Sequence, residues 1–244
     1  MRSLFYVCFL LSSGILLAGC HPRKEVPIYS NHGRIVVDSA APGKKFLSFD
    51  SRNGAYYPVY YVGKHTDTLF LGPQPISEYT NDALEKRYET ATNWKSLNGM
   101  ELEIFVDTTM NLGYDIRYSH FSADIQEAVV DSTSSIKAFA IFITNRSDSL
   151  VMLGTHNFVR YLTREVQDQN GNWVEVEHHQ TDLCGTYKRS LVLEPGHVMV
   201  AKVLRYDGDF KIPCRLKLSM TFGDLTYRAY SNVFEDYFDL SKAR

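Results

Sequence analysis

The chain has 244 residues, with 26 Lys and Arg set against 28 Asp and Glu, a formal net charge of −2. That balance excludes the basic face a phosphate backbone requires, so nucleic acid is not an expected partner. Sixteen tyrosines and 14 phenylalanines, set in short runs with Val, Ile and Thr, give the composition of a sheet protein.

In chain order, the first element is "MRSLFYVCFLLSSGILLAGCHP": one cation at Arg2, an apolar run from Leu4 to Leu17, then small residues. This is the pattern of a signal peptide over 1–19. No later stretch approaches the roughly 20 apolar residues that a membrane-spanning helix needs. The tetrad Leu17-Ala18-Gly19-Cys20 resembles the lipobox of bacterial lipoprotein precursors at every position. The resemblance implies cleavage between Gly19 and Cys20, with Cys20 acylated as the first residue of the mature protein. Two or more acyl chains, at about 0.8 kcal/mol per buried CH₂, anchor stably where one is marginal. The membrane partner is thus lipid, reached through Cys20, and the expected location is the outer membrane, facing the periplasm or the cell surface. Residues 20–27 read as the lipidated cysteine and a short polar, Pro-flanked tether.

Beyond the tether, turn signals separate runs that read as strands: Arg34–Asp38, Lys45–Asp50, Tyr56–Gly63, Thr68–Gly72, Met100–Asp107, Tyr114–Phe121, Ile136–Thr144 and Ser149–Gly154. They continue with Phe158–Asp168, Trp173–His178, Ser190–Leu193, His197–Tyr206, Cys214–Phe222 and Leu225–Ser231. One short helix is expected, capped by Asn81 and running to Thr92, with Leu84, Tyr88 and Ala91 at helical spacing. So many short strands imply an all-β sandwich, divided into two β lobes at 28–125 and 126–244. The segments "VYYVGKHTDTLFL" and "AIFITNRSDSLVM" echo one another in pattern, so duplication of a β unit stands beside chance similarity of two hairpins.

The second half, through "FITNRSDSLVML", "REVQDQNGNWVEVE", "LVLEPGHVMVAKVLRYDGDFKIPCRLKLSM" and "YSNVFEDYF", resembles immunoglobulin-like modules of uncharacterised Bacteroidota lipoproteins. The resemblance spans roughly 136–240 and implies an immunoglobulin-like β-sandwich; it carries no catalytic residues. Five Asp-Ser or Asp-Thr steps resemble the O-glycosylation sequon of exported Bacteroidota proteins, which makes Ser39, Thr68, Thr108, Ser132 and Ser149 acceptor candidates. As ordinary turn formers, the same steps need no sugar.

Cys8 leaves with the signal and Cys20 is acylated, which leaves Cys184 and Cys214 in a compartment that permits disulfides. A bond between them closes a loop of about 31 residues and contributes roughly 3–4 kcal/mol in the chain-entropy account. Two separate buried thiols are the alternative.

No metal site is expected. His178 and His179 are adjacent and point to opposite faces of a strand, and no Cys-x-x-Cys or His-Glu-x-x-His occurs. No Gly-x-Ser-x-Gly elbow or phosphate loop occurs either, and Glu101-x-Glu103, Asp207-Gly208-Asp209 and Glu235-Asp236 read as turn residues and solvated strand faces. Gly208 is expected to supply a positive φ in the "YDGDF" turn. The calcium-like spacing of Asp168, Asn170 and Asn172 fails because Gly171 falls at the fourth loop position and His179 at the twelfth. The stretch reads instead as a hairpin with Asn170-Gly171 in a type I′ turn, and with Trp173 covering the end of the sandwich.

In "AYYPVYYVG", alternation places Tyr57, Val59 and Tyr61 on one side and Tyr56 and Tyr60 on the other, and Pro58 marks an edge, so one tyrosine face is expected to stand exposed. These readings lead to an envelope protein that binds or assembles with another envelope protein along an edge strand or aromatic face. The alternative is a glycan-binding accessory protein of a polysaccharide uptake system, with Tyr56, Tyr60, Trp94 and Trp173 as stacking residues. A hydrolase of envelope polymers comes third, without a catalytic constellation to carry it. No cofactor is expected.

Overall fold

The structure, a computed structural model, describes residues 28–31, 34–40, 42–48, 54–73, 75–76, 100–122, 127–155, 157–179 and 190–239. Every regular element among them is a strand. The centre is a four-stranded sheet in the order β5 (Val59–Lys64), β15 (His197–Leu204), β8 (Glu127–Asn145), β7 (Leu102–Ser122), antiparallel throughout.

β15 is buried on both faces, which explains why "HVMVAKVL" reads as an almost unbroken apolar run rather than an alternating one. Met199, Ala201 and Val203 enter one core, while Val198, Val200 and Leu204 enter the other. β8 divides likewise, with Phe139, Ile141 and Ile143 on the first side and Ala138, Ala140 and Phe142 on the second.

Over the first side lies a sheet of β12 (Trp173–Glu175), β11 (Leu162–Gln167), β17 (Phe210–Phe222) and β18 (Leu225–Tyr230), with β19 (Phe234–Phe238) also paired to β17. A second small sheet, β10 (Phe158–Val159), β9 (Val151–Thr155) and β14 (Ser190–Leu193), sends Val151, Leu153, Leu191 and Leu193 into the same core. Over the other side lies a three-stranded sheet, β1 (Ile28–Asn31), β2 (Arg34–Asp38) and β6 (Thr68–Leu71), which contributes Val36, Leu69 and Leu71. Two short parallel ladders stitch the layers: β3 (Leu47–Ser48) to β16 (Tyr206–Asp207), and β4 (Gly54–Ala55) to β13 (His178–His179). The edge of β7 is closed by Asn232, whose side-chain amide accepts from Val106 N at 2.7 Å and donates to Val106 O at 3.0 Å.

The all-β sandwich expectation holds, and several of its details change. The strands expected at Met100–Asp107 and Tyr114–Phe121 are one strand, β7, interrupted by an irregularity between Asp107 and Leu112. Its partner β8 begins at Glu127, not Ile136. The division at 125/126 is not a lobe boundary, because it falls in the β7–β8 connection and strands from both halves share the central sheet and both cores. The echoed segments occupy unlike positions: after β5 the chain enters the small sheet on one side, and after β8 it enters β9 on the other.

The expected exposed tyrosine face is also corrected, since Tyr57 is 1% and Tyr60 4% exposed. A bulge in β5 opposite Val200 and Ala201 shifts the alternation, so Tyr60 and Tyr61 both serve the second core while Tyr57 and Val59 serve the first. The hairpin at Asp168 is present, with Gln167 paired to Trp173 and Asp168 N donating to Asn172 O, but three residues rather than two lie between those last partners. Gly171 N donates to Asp168 O and Gly171 follows with a φ of 83°. Asp168 serves the loop itself, accepting from Asn170 N and Asn172 N, and these bonds hold its carboxyl below the usual range. Gly208 has no positive φ; it is required by proximity, since a Cβ there would lie 2.1 Å from the carbonyl carbon of Phe238. The expected helix at 81–92 lies outside the described residues.

Candidate functional site

Two features stand out from the packed body. The first is a projecting arm. β8 pairs with β15 only up to Ala138, and the 43–45 segment reaches β8 no further than Ser135 and Ile136. From Arg117↔Thr133 to Ser122↔Glu127, the β7–β8 ribbon pairs only with itself among the described residues. At about 3.4 Å per residue it extends roughly 20 Å past its last support among the described residues.

The second is a buried polar cluster around a cavity of about 170 Å³ at the meeting of the two parallel ladders. Leu162, Arg164 and Val166 alternate inward along β11, so Arg164 occupies a core position and is 1% exposed. Its Nη1 donates to Asp236 at 3.0 Å and its Nη2 to the carbonyl of Leu204 at 2.6 Å. The guanidinium also lies over the Tyr206 ring, 4.6 Å from its centroid. Glu177 Oε1 stands 3.4 Å from Arg164 Nε, too poorly placed for a hydrogen bond, and that buried N–H has no hydrogen-bond partner among the described residues.

Glu177, 5% exposed, accepts from the Tyr57 hydroxyl, from the Tyr206 hydroxyl at 2.8 Å and from Arg164 N at 3.2 Å. Burial, then the Glu177 charge, pushes both tyrosine hydroxyls far above their usual pKa, so both remain donors. Burial opposes the Arg164 charge, yet Glu177 and its neighbours hold its pKa above the ordinary value. Burial raises the Asp236 carboxyl, with Arg164 and Arg205 acting against that rise. Leu204 completes the inner wall, and Leu47 and the half-buried Tyr56 form the outer one.

A separate ion pair sits in the other core. Lys202 Nζ lies 2.8 Å from Asp38 Oδ2, donates to Gly113 O at 2.7 Å and stands 3.9 Å from the centroid of the Tyr60 ring. Both side chains are essentially unexposed, at 0% and 1%.

Of the residues expected to stack on a glycan, Tyr56 alone reaches the cavity; Tyr60 is buried beneath Lys202. Trp173 lies on the outer face of β12, where Arg215 is held between its ring at 4.3 Å and that of Tyr230 at 4.2 Å. Trp94, Cys20 and Cys184 lie outside the described residues. Cys214 is a buried free thiol whose pKa burial pushes up to about 12. Among the acceptor candidates, Ser39, Thr108, Ser132 and Ser149 are exposed and Thr68 is half-buried. The aspartates before two of them have internal work: Asp38 pairs with Lys202, and Asp107 accepts from Thr109 N at 2.9 Å. Asp236, read from sequence as part of a solvated pair, is fully buried, while Glu235 and Lys211 pair on the surface.

Sequence reasoning passed over Arg164, Glu177 and Lys202. The available signal was a cation at an inward position of a strand, between Leu162 and Val166 or between Val200 and Leu204. Comparison of the chain with family models, curated proteins and solved structures finds no match in any of the three.

Proposed function

We propose that this protein is a lipid-anchored module of the bacterial envelope that works by docking a partner protein, with the β7–β8 arm as its docking element. The projecting ribbon carries this reading. A two-stranded ribbon is marginal by itself in water, and both its edges, unpaired among the described residues, offer backbone groups that a partner strand can extend. The arm's sequence favours pairing over solvation, with Tyr118, Phe121, Val129 and Val130 among its residues. The lipobox-like tetrad ending at Cys20 places a tether of a few residues before β1, which would hold the sandwich close to a membrane surface.

The test removes residues 117–133 and joins Ile116 to Ser134 through an Asn-Gly turn, with Cys20 kept. Cross-linking in intact envelopes should yield a specific adduct with the full chain and lose it with the shortened one, while the urea midpoint of the body stays put. The same adduct from both proteins would refute the arm. Membrane fractionation of the Cys20→Ala chain tests the anchor, and retention in the membrane pellet would count against it.

A further inference from the structure

We propose that the cavity beneath Tyr56 and Leu47 is a binding site for the ring of an uncharged sugar, with Arg164 and Glu177 as its polar floor. Size sets the first limit. A cavity of about 150 Å³ accepts a benzene-sized ring, so about 170 Å³ accommodates one six-membered ring whose substituents reach the mouth.

Charge sets the second. Arg164 and Arg205 face Glu177 and Asp236, two cations against two carboxylates, so the cluster is already neutral. A charged ligand would bring an unpaired charge into a site where Arg164, Glu177 and Asp236 are each at most 5% exposed, which is costly.

Hydrogen-bond capacity sets the third limit. The Arg164 Nε–H is buried and requires an acceptor. A carboxylate offers about four acceptor sites, and Glu177 receives three donors. The floor thus offers one donor and one acceptor side by side, and a hydroxyl is the small group that satisfies both. A carbonyl or ether oxygen would serve the donor alone. Five of the seven lining residues carry polar groups, so a plain aromatic ring would strip water from them without replacing its bonds. The C–H face of a sugar meets the two leucines, Leu204 on the inside and Leu47 at the mouth, and the ring face of Tyr56 beside it.

Calorimetric titration of the full chain in detergent tests this, using glucose, galactose, mannose and arabinose, oligosaccharides ending in each, glucuronate, glucosamine and phenol. Saturable binding of at least one neutral sugar is expected, weakened about tenfold by Leu47→Trp, which fills the mouth, and by Tyr56→Ala. Neither change removes a polar group of the floor, and an unchanged circular dichroism spectrum checks that each variant folds. Binding of the free sugar alone assigns a soluble ligand; binding of the oligosaccharide as well assigns a chain end, and either supports the site. Binding of only charged sugars, only phenol or nothing overturns it. Neutral-sugar binding that both variants leave unchanged places the ligand elsewhere and overturns it too.

Discussion

Replacing Lys202 by Met removes the cation of the Lys202–Asp38 pair while nearly preserving volume, and leaves a carboxylate stranded in the second core. Asp38 is 1% exposed and keeps, among the described residues, only backbone donors, Ala40 N at 3.0 Å being one. Removing one partner of such a buried pair costs about 3–5 kcal/mol. A domain is stable by only about 5–15 kcal/mol, so the loss is large. Asp38→Asn in the same chain removes the stranded charge and keeps an acceptor for Ala40 N, so the double variant should regain at least about half of the loss.

The pH dependence follows from direction. Burial already raises the Asp38 pKa above 3.8, and Lys202 is the main influence pulling it back. In Lys202→Met that restraint disappears, so the folded state holds its proton to higher pH than the unfolded state does. Stability is then fully present below 3.8 and is lost as pH rises through the folded pKa. Urea unfolding followed by tryptophan fluorescence at about pH 4 and about pH 7 should therefore show a larger deficit at neutrality. A neutral-pH deficit under about 1 kcal/mol, or a double variant no better than the single, refutes the reasoning.

Three further outcomes follow from individual contacts. Tyr206→Phe deletes a 2.8 Å bond to Glu177 and should cost about 1.5–3 kcal/mol in urea unfolding; a loss below about 0.5 kcal/mol would mean that water replaces the hydroxyl. Gly208→Ala forces a Cβ against the Phe238 carbonyl carbon and should cost at least about 2 kcal/mol, visible as a lowered thermal midpoint; an unchanged midpoint would show that β19 yields freely. The Cys214 thiol, buried and raised to about 12, should resist a thiol reagent in the native protein and react once urea unfolds it; rapid native labelling of Cys214 contradicts its burial.

What was legible depended on whether a local pattern survived assembly. Arg34–Asp38 and Ser190–Leu193 were read to the residue because their apolar runs end in clear turn or boundary signals. The β11–β12 hairpin was legible because a glycine follows Asn170 between two strand-like runs, although the choice between a two- and a three-residue loop lies below what that pattern resolves. The ladders β3–β16 and β4–β13 were not legible, since two residues cannot display a period and their partners lie more than a hundred residues away. β8 was cut short because "EAVVDSTSS" is too polar to read as a buried strand, and it is in fact held chiefly by β7. Tyr61 falls on the side opposite Tyr57 and Val59 because a bulge inverts alternation at one residue, and no composition signal marks it. Arg164 and Lys202 were hidden because a cation within an apolar run looks like a solvated face until its partners, far away in sequence, are known.

Lys202, Leu204, Arg205 and Tyr206 lie within five residues, yet they reach sheets on both sides of the central one. Lys202 holds β2 and β7, Leu204 O accepts from β11, Arg205 reaches Asp236 of β19, and Tyr206 bonds Glu177. Apolar burial fixes how strongly the layers adhere but is nearly indifferent to where they sit, whereas an ion pair is satisfied at one placement only. The small sheet depends on this most, since it presents only Val36, Leu69 and Leu71 as fully buried apolar side chains among its described residues. In the Asp38→Asn, Lys202→Met chain, global stability should therefore recover while the placement of β2 loosens. Hydrogen exchange separates the two effects: the amides of Ile35 and Ser39, which donate to Asp67 O and Leu71 O, should exchange faster than in the native chain, while β15 keeps its protection. If those amides stay as protected as before, the ion pair does not set the register of the small sheet.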